Sequence, residues 1–564
     1  MALTKVKNSV SSFTQNGTGA VERGMEDKVG EIVSVTDFGA VGNGVTDDTA
    51  AFNAVIAYVN SQGLNGAYTG KGFKIHIPRG EYYLPTGLNA ISVDGVQWIG
   101  DGKDSTVIFG EAGTIFQIGD DVLTVESCSI KRMSFVVKAA TTPNINLTIC
   151  HLKHCTRITL EDLKLIRFPK LLQITVSNGK AVTNIYVSDV VGQNYNIGVP
   201  LIGIAALSGG VGAGLYLNNI RTNLDGVGYP SETDGNETHA SLTGSDILKF
   251  SGGLWDTLVA SDCVFNRYNR GIHVDATIPG TGFTNTYWNN IVIDLTHSPI
   301  YLHANGGNIT KFIWSQGWIN GTDGNTVTID RTSGLMDTIC IKNTDFMNAG
   351  LSNVVIDSGS TNVHLVENRF YASGRLQLTS ASPTKTNTSI SVGSGCDGLV
   401  IDNNRWFDPI LIYGGGSFPL VSGDFDPGTA ISMDSIAMNF QLTNNVVRST
   451  TTNYGGTGLT SNLLFVTTNT KPRVLRANAA ADNTSPEYLG GNISALPGSG
   501  AGNPMTNLSG CPMEVLVYGG TYTNVVVNGF SLGAPDPCAF TLNHGESFYV
   551  NYTVAPTIRR RLLN

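Results

Sequence analysis

The 564-residue sequence is short of charge: Asp, Glu, Lys and Arg make up 14 % of it, against about 25 % in an ordinary domain. That argues against a helical fold, whose solvent faces need charged residues. No apolar run approaches the ~18 residues of a membrane-crossing helix. Basic residues are not clustered, and the formal net charge is −9, which argues against nucleic acid as the main partner. Arg559-Arg560-Arg561 is the one basic run, and it reads as a local tail feature. The opening "MALTKVKNSV" has neither a signal-peptide apolar core nor a cleavage site. The eight cysteines are scattered, so the expectation is reduced thiols packed as small hydrophobes. In "CHLKHC" (150–155) four zinc ligand types stand close together, but on a strand they splay over two faces. A buried strand with satisfied histidines is the preferred reading, and no metal site is assigned.

What is abundant is glycine, 67 residues, and with it a repeat. Segments such as "RITLEDLKLIRF" (157–168), "NTYWNNIVIDL" (285–295) and "NVHLVENRFYAS" (362–373) share one pattern over nine copies. Mostly apolar residues stand at i and i+2, a polar one at i+4, and usually an apolar one at i+7. The polar set is Asp162, Asp189, Asn219, Asp262, Asn290, Gln316, Asn343, Glu367 and Asn403. Most copies follow one another at 24 to 30 residues, with no helix-period segment between. That leaves room for about three short strands and three turns, one coil of a parallel β-helix. Two steps are longer, 215 to 258 and 363 to 399. The surplus has to bulge as loops, where function concentrates.

A stacked coil needs its apolar ends covered. Residues 47–60, "DDTAAFNAVIAYVN", predict an amphipathic helix with Ala51, Phe52, Val55, Ile56 and Val59 inward. Asp47 or Asp48 supplies its N-cap. The doublet invites a catalytic reading, but capping accounts for it. After about 410 the repeat fades, and "YGGGSFPLVSGDFDPGTA" (413–430) predicts a boundary. Residues 513–561 alternate as four or more antiparallel strands.

"VSVTDFGAVGNGVTDDTAAFNAVIAYV", followed by "IHIPRGEYYL" and "IGDGKDSTVI", resembles the N-terminal signature of the pectate-lyase superfamily of β-helix proteins. The segment leading into it, "GTGAVERGMEDKVGEIVSVTDFG", resembles that of phage tailspikes. The resemblance covers residues 17–110 closely. It implies an all-β chain: a right-handed parallel β-helix with an N-terminal capping helix, C-terminal β-sandwich-like domains and a homotrimeric assembly. It also implies a virion-tail protein, made in the host cytoplasm, that acts on bacterial surface polysaccharide. The expected organisation is a virion-attachment segment (1–30), capping helix and first coils (31–120), β-helix (121–410), a β-rich intermediate domain (411–510) and a C-terminal β-domain for trimerisation or glycan contact (511–564). The short first segment implies attachment through a tail or baseplate adaptor.

Candidate chemistry falls in two places. The longer loop, 223–246, holds Asp225, Glu232, Asp234, Glu237, His239 and Asp246 with no Lys or Arg. Glycoside hydrolysis needs two carboxyl groups, one of them protonated, and clustered carboxylates favour that. A solvated acidic loop or a Ca²⁺ site fits the same residues. The second place is the closing strand of successive coils: "GIHVDA" (271–276), "IYLHAN" (300–305), "VTIDR" (327–331) and "VVIDS" (354–358). With Val274, Leu302, Ile329 and Ile356 inward, His273, Asp275, Tyr301, His303, Asp330 and Asp357 face outward. Asp275, partnered by a loop acid, is the leading catalytic candidate, although strand-end Asp residues also serve turn N–H groups. Sugar contacts are expected from His273, Tyr301, His303, Arg270 and the exposed aromatics Trp255, Tyr268, Tyr229 and Trp318. Trp288 and Trp314 are expected inside. The rival reaction is β-elimination on a uronate, with Lys249, Arg267, Arg270, His273 or His303 as the catalytic group. A spike that only binds glycan is the third reading.

Overall fold

A computed structural model describes residues 12–25, 30, 32–62, 72–138, 147–167, 170–194, 199–224, 245–321, 324–347, 349–371 and 389–407. It also describes short strands between 431 and 490, and 505–506, 513–543, 546–554 and 556–562. The chain forms two compact units, residues 1–229 with 243–265, and residues 230–242 with 266–564. Both contain three parallel sheets, A, B and C, visited in turn by each coil.

In the first unit sheet A runs from Ile32–Ser34 through Lys74–Ile77 and Gln97–Gly100 to the 129–131, 159–161, 185–188 and 215–218 stretches. Sheet B follows the last four of these after one corner residue (Arg132, Asp162, Asp189 and Asn219) and the earlier ones after a longer turn, and sheet C includes Thr114–Ile118, Thr148–Lys153 and Lys170–Val176. The helix spans Thr49–Ser61 and buries Ala51, Phe52, Val55, Ile56 and Val59, the expected face. Phe52 stacks on Trp98 of the early coils at 6.0 Å. Asp48 stands at the N-cap position, but its carboxylate accepts from the Val41 N–H at 2.7 Å and the Gly42 N–H at 3.3 Å. Asp47 accepts from the Thr49 N–H at 2.9 Å. The doublet is therefore taken up by backbone. In "CHLKHC" Cys150 and Cys155 are buried in the core. His151 and His154 instead meet the hydroxyls of Thr175 and Thr124, both at 2.9 Å. Every described cysteine is a free thiol.

The physical basis of the repeat is a backbone conformation. All nine residues of the polar set have φ between 50° and 58°. The residues just before each repeat turn the same way, among them Arg157, Asn184, Thr257, Asn285, Lys311 and Asn362. Left-handed backbone costs most L-residues about 1–2 kcal/mol, and Asn and Asp tolerate it best. Each coil thus turns two corners, one into sheet A and one from A into B. Between corners the apolar residues stack inward: Trp288 on Trp314 at 6.0 Å and Phe346 on Phe370 at 4.8 Å.

In the second unit the parallel ladder does not end at 410. Sheet C continues from Ile390–Val392 through Ile431–Met433 and Leu464–Val466 to Leu489–Gly490. Sheets A and B continue alongside through Val474–Arg476 and Ala479–Ala480. Within 411–510, the range expected as an intermediate domain, the described strands up to Gly490 extend this ladder. These strands are only two or three residues long, too short to show a period. After them Met513–Tyr518 pairs antiparallel with Cys538–Leu542 and Thr557–Leu562. Thr521–Val527 pairs with Ser547–Val554. Val515, Val517, Tyr522, Val525, Phe548 and Val550 of the two small sheets share one core. Arg559 to Arg561 lie in the edge strand Thr557–Leu562, not in a tail.

Candidate functional site

In the second unit Arg270–Ala276, Ser298–Asn305, Val327–Ser333 and Val354–Ile356 lie side by side as neighbouring strands of sheet C. Val274, Leu302, Ile329 and Ile356 are buried, so strict alternation turns Asp275, Tyr301, His303 and Asp330 outward. Register does the rest. Asp275 is opposite His303, and His303 is opposite Asp330.

The side chains close on one another. His303 Nδ1 lies 3.1 Å from Asp275 and its Nε2 3.8 Å from Asp330 and 3.0 Å from the Thr332 hydroxyl. Tyr301 donates its phenolic O–H to Asp330 at 2.9 Å. Burial, with the Asp330 contact behind it, pushes the Tyr301 pKa up to about 12. Tyr301 therefore stays a phenol near neutrality, a positioning donor and a poor base. The Arg270 guanidinium lies 4.3 Å over the Tyr301 ring and donates to His273 Nε2 at 2.9 Å. His273 meets Tyr301 edge to face and is only 9 % exposed. Asp275 and Asp330 stay open to solvent, with 33 % and 28 % of their side chains accessible. Asp275 Oδ1, itself buried, meets His303 at ion-pair range but accepts no aligned hydrogen bond among the described residues. This surface therefore holds two carboxylates, an imidazole between them, a phenol and a guanidinium.

Other expected residues fall elsewhere. Asp225, Tyr229, Glu232, Asp234, Glu237 and His239 lie outside the described residues. Asp246 belongs to the first unit and is 1 % exposed; Lys249 also belongs to that unit. Two aromatics expected at the surface are corrected. Trp255 is fully buried, because its strand carries an irregularity near Gly252 that breaks simple alternation, and Gly212 on the adjacent strand leaves space for its ring. Tyr268 is 1 % exposed, because the preceding Arg267, at φ 67°, resets the alternation. Trp318 is half-buried on sheet B, away from the Tyr301 strand.

Sequence reasoning missed a second feature on the same coils. Asn368 and Asn404, both buried, form a ladder inside the corners: Asn368 accepts from the Thr344 N–H at 3.1 Å, and Asn404 accepts from the Asn368 N–H at 2.9 Å. A polar residue directly after the polar corner was its signal. Outside that ladder, Asn343, Glu367, Asn368, Arg369, Asn403 and Arg405 line a surface pocket of about 290 Å³.

The sequence matches the rhamnogalacturonase A/epimerase, pectate lyase-like family over residues 32–323, a little over half of the chain. No curated relative matches. Among solved structures, tailspike protein 3 of bacteriophage CBA120 is 12 % identical with a TM-score of 0.52, covering 89 % of this chain and 70 % of that one. A mutant tailspike of Escherichia coli bacteriophage HK620, solved in complex with a pentasaccharide, is 12 % identical with a TM-score of 0.52, covering 99 % and 97 %. At such identity these likenesses speak to the fold, a parallel β-helix.

Proposed function

The chain belongs to the rhamnogalacturonase A/epimerase, pectate lyase-like family, and from that premise we propose that it is a homotrimeric phage tailspike that binds and depolymerises a bacterial surface polysaccharide. Its place is the virion tail, joined through residues 1–30 to an adaptor. The tailspike fold likeness over nearly the whole chain supports this, together with the N-terminal signature.

The reaction is glycoside hydrolysis, and the observation that carries it is the Asp275–His303–Asp330 row. One carboxylic acid protonates the leaving glycosidic oxygen as its bond to the anomeric carbon breaks. The other carboxylate takes a proton from the water whose oxygen bonds that carbon. The two aspartates stand two strands apart, roughly 9–10 Å at ~4.8 Å per strand. With the His303 ring standing between the carboxylates, at 3.1 Å from one and 3.8 Å from the other, this favours the wide arrangement of inverting enzymes, about 6.5–9.5 Å between carboxyl groups, over the ~5 Å of retaining ones. Asp330 takes the partner role first sought among the loop acids. Tyr301 holds Asp330 in place, and Arg270 steadies Tyr301 from above. Elimination on a uronate is the rival reading, with Arg270, His273 or His303 of this surface as its catalytic group.

The test is incubation with purified capsules and O-antigens. Hydrolysis releases reducing ends without the ultraviolet absorbance of an unsaturated uronate, and proton NMR of the first products shows an inverted anomer. Appearance of that absorbance would assign elimination instead. Binding without fragments on every glycan tried would leave only an adhesin.

A further inference from the structure

On sheet B of the second unit one outward row reads Val292, Trp318, Asp345, Arg369, Arg405, each in register with the next. Arg369 grips Asp345 in a fork, its Nε on one carboxylate oxygen and its Nη2 on the other at 2.6 Å. One strand on, Arg405 presents the same fork. Arg405 is exposed, and its guanidinium makes no ion pair or hydrogen bond among the described residues. The row thus repeats the guanidinium but not the carboxylate.

The surroundings are built for a polar ligand. Arg405 lines the 290 Å³ pocket with the corner residues Asn343, Glu367 and Asn403. These corners are exposed. Their left-handed backbone fixes where they project. At the other end of the row Trp318 is half-buried, and its buried indole N–H has no acceptor among the described residues. From Trp318 to Arg405 is three strand steps, roughly 14 Å at ~4.8 Å each, longer than one sugar ring.

We propose that this row is a second saccharide-binding site, distinct from the Asp275–Asp330 surface, that takes the carboxylate of an acidic sugar on Arg405. The class of ligand rests on the glycan reading above; the geometry of the row does not. A planar carboxylate matches the free guanidinium fork, as Asp345 already does for Arg369. The ring hydroxyls meet Asn343, Asn403 and Glu367, and the adjoining sugar lies along the row toward Trp318.

The experiment is saturation-transfer NMR on the full chain with glucuronate, glucose and inorganic phosphate as separate probes. Glucuronate should bind at least about tenfold more tightly than glucose, the worth of one good charge-assisted contact. Arg405→Gln should bring it down to the glucose level without moving the melting temperature. Arg405→Lys, keeping charge without the fork, should recover it only partly. Asp275→Asn should leave it unchanged, so loss of polysaccharide cleavage and loss of this site are read separately. Equal binding of glucuronate and glucose, or an Arg405→Gln protein that binds as wild type, overturns the proposal. So does displacement of glucuronate by phosphate at equal concentration, which would mark a generic anion site. Loss of binding in Asp275→Asn would assign the signal to the other surface.

Discussion

The sheet C of each unit carries a different surface on the same kind of coil. In the first unit its outward positions are quiet. His151 meets Thr175, and Lys170 Nζ donates to Gln173 at 2.9 Å. Burial, reinforced by Lys153 and Lys170, pushes His151 down to about 4, so it is a neutral imidazole. In the second unit the corresponding sheet presents Asp275, His303 and Asp330 in contact, with Tyr301 and Arg270 beside them. Sheet B differs in the same sense. Early coils tie their charges across neighbours, Lys164 to Asp104 at 2.6 Å and Lys103 to Asp162 at 2.8 Å, whereas the Arg405 guanidinium has no such partner among the described residues. The coil is a frame that both units share. The chemistry proposed above falls where a later coil gathers charged groups at its surface.

The largest effect expected on that contrast is Asp275→Asn. A positioned acid or base contributes about 10²–10⁴-fold, so cleavage of a susceptible glycan should fall by about 10³-fold. Asp330→Asn should match it. Thermal melting should barely move, because both side chains lie outside the packed core. Cleavage is read by reducing-end release. Either variant at wild-type rate would remove the row from catalysis and leave the two faces of sheet C equivalent.

Tyr301→Phe sharpens the contrast next. It removes the O–H that holds Asp330, about 1.4 kcal/mol, or roughly tenfold in rate. It also has an alkaline signature. The folded pKa is raised to about 12 from 10, so the phenol's contribution to stability is complete below pH 10. It is lost as pH rises through about 12. Wild-type denaturant midpoints should decline over that window, and Tyr301→Phe should decline less steeply. Tyr82, raised to about 12 chiefly by burial, keeps a residual slope in the variant.

How much of this was legible depended on period. The strand positions inside each coil repeat, so Val274, Leu302, Trp288 and Trp314 could be placed inward from the sequence, as the structure has them. The helix face of Phe52 and Val55 was legible for the same reason. Alternation failed at Trp255 and Tyr268, where a strand irregularity and a left-handed residue shift the count by one. It also failed beyond 410, where strands of two or three residues are too short to carry a pattern. The Asp275–His303–Asp330 contact depends on register between coils of unequal length. That is a long-range property which local spacing suggests but does not fix.

The quiet face gives an acid-side prediction. His151 is held neutral down to about pH 4, whereas its unfolded form protonates near 6.5. Its contribution is therefore complete above pH 6.5 and is lost as pH falls toward 4. His151→Gln should flatten the fall in melting temperature across that window by a few degrees at most. A wild type and variant with parallel acid profiles would mean that His151 is already solvated. The difference drawn between the two faces of sheet C would then narrow to the carboxylates alone.

The smallest effect concerns the frame that both units share. Gln316 holds a left-handed corner at φ 54° and is exposed. It lacks the short side chain that lets Asn and Asp bond locally there. Gln316→Gly removes the Cβ conflict, while the unfolded chain gains freedom that opposes folding. The balance should be a gain of up to about 1 kcal/mol, with Gln316→Asn between the two. Gln316→Val, β-branched at positive φ, should lose about 1–2 kcal/mol. Because Gln316 touches neither the Asp275 surface nor Arg405 in any described contact, all three variants should keep glycan cleavage at the wild-type rate. Urea midpoints that rank Gly above Asn above Gln above Val would tie the repeat's polar position to backbone geometry. A flat series would mean that the corner is set by the packed strands on either side, whatever residue occupies it.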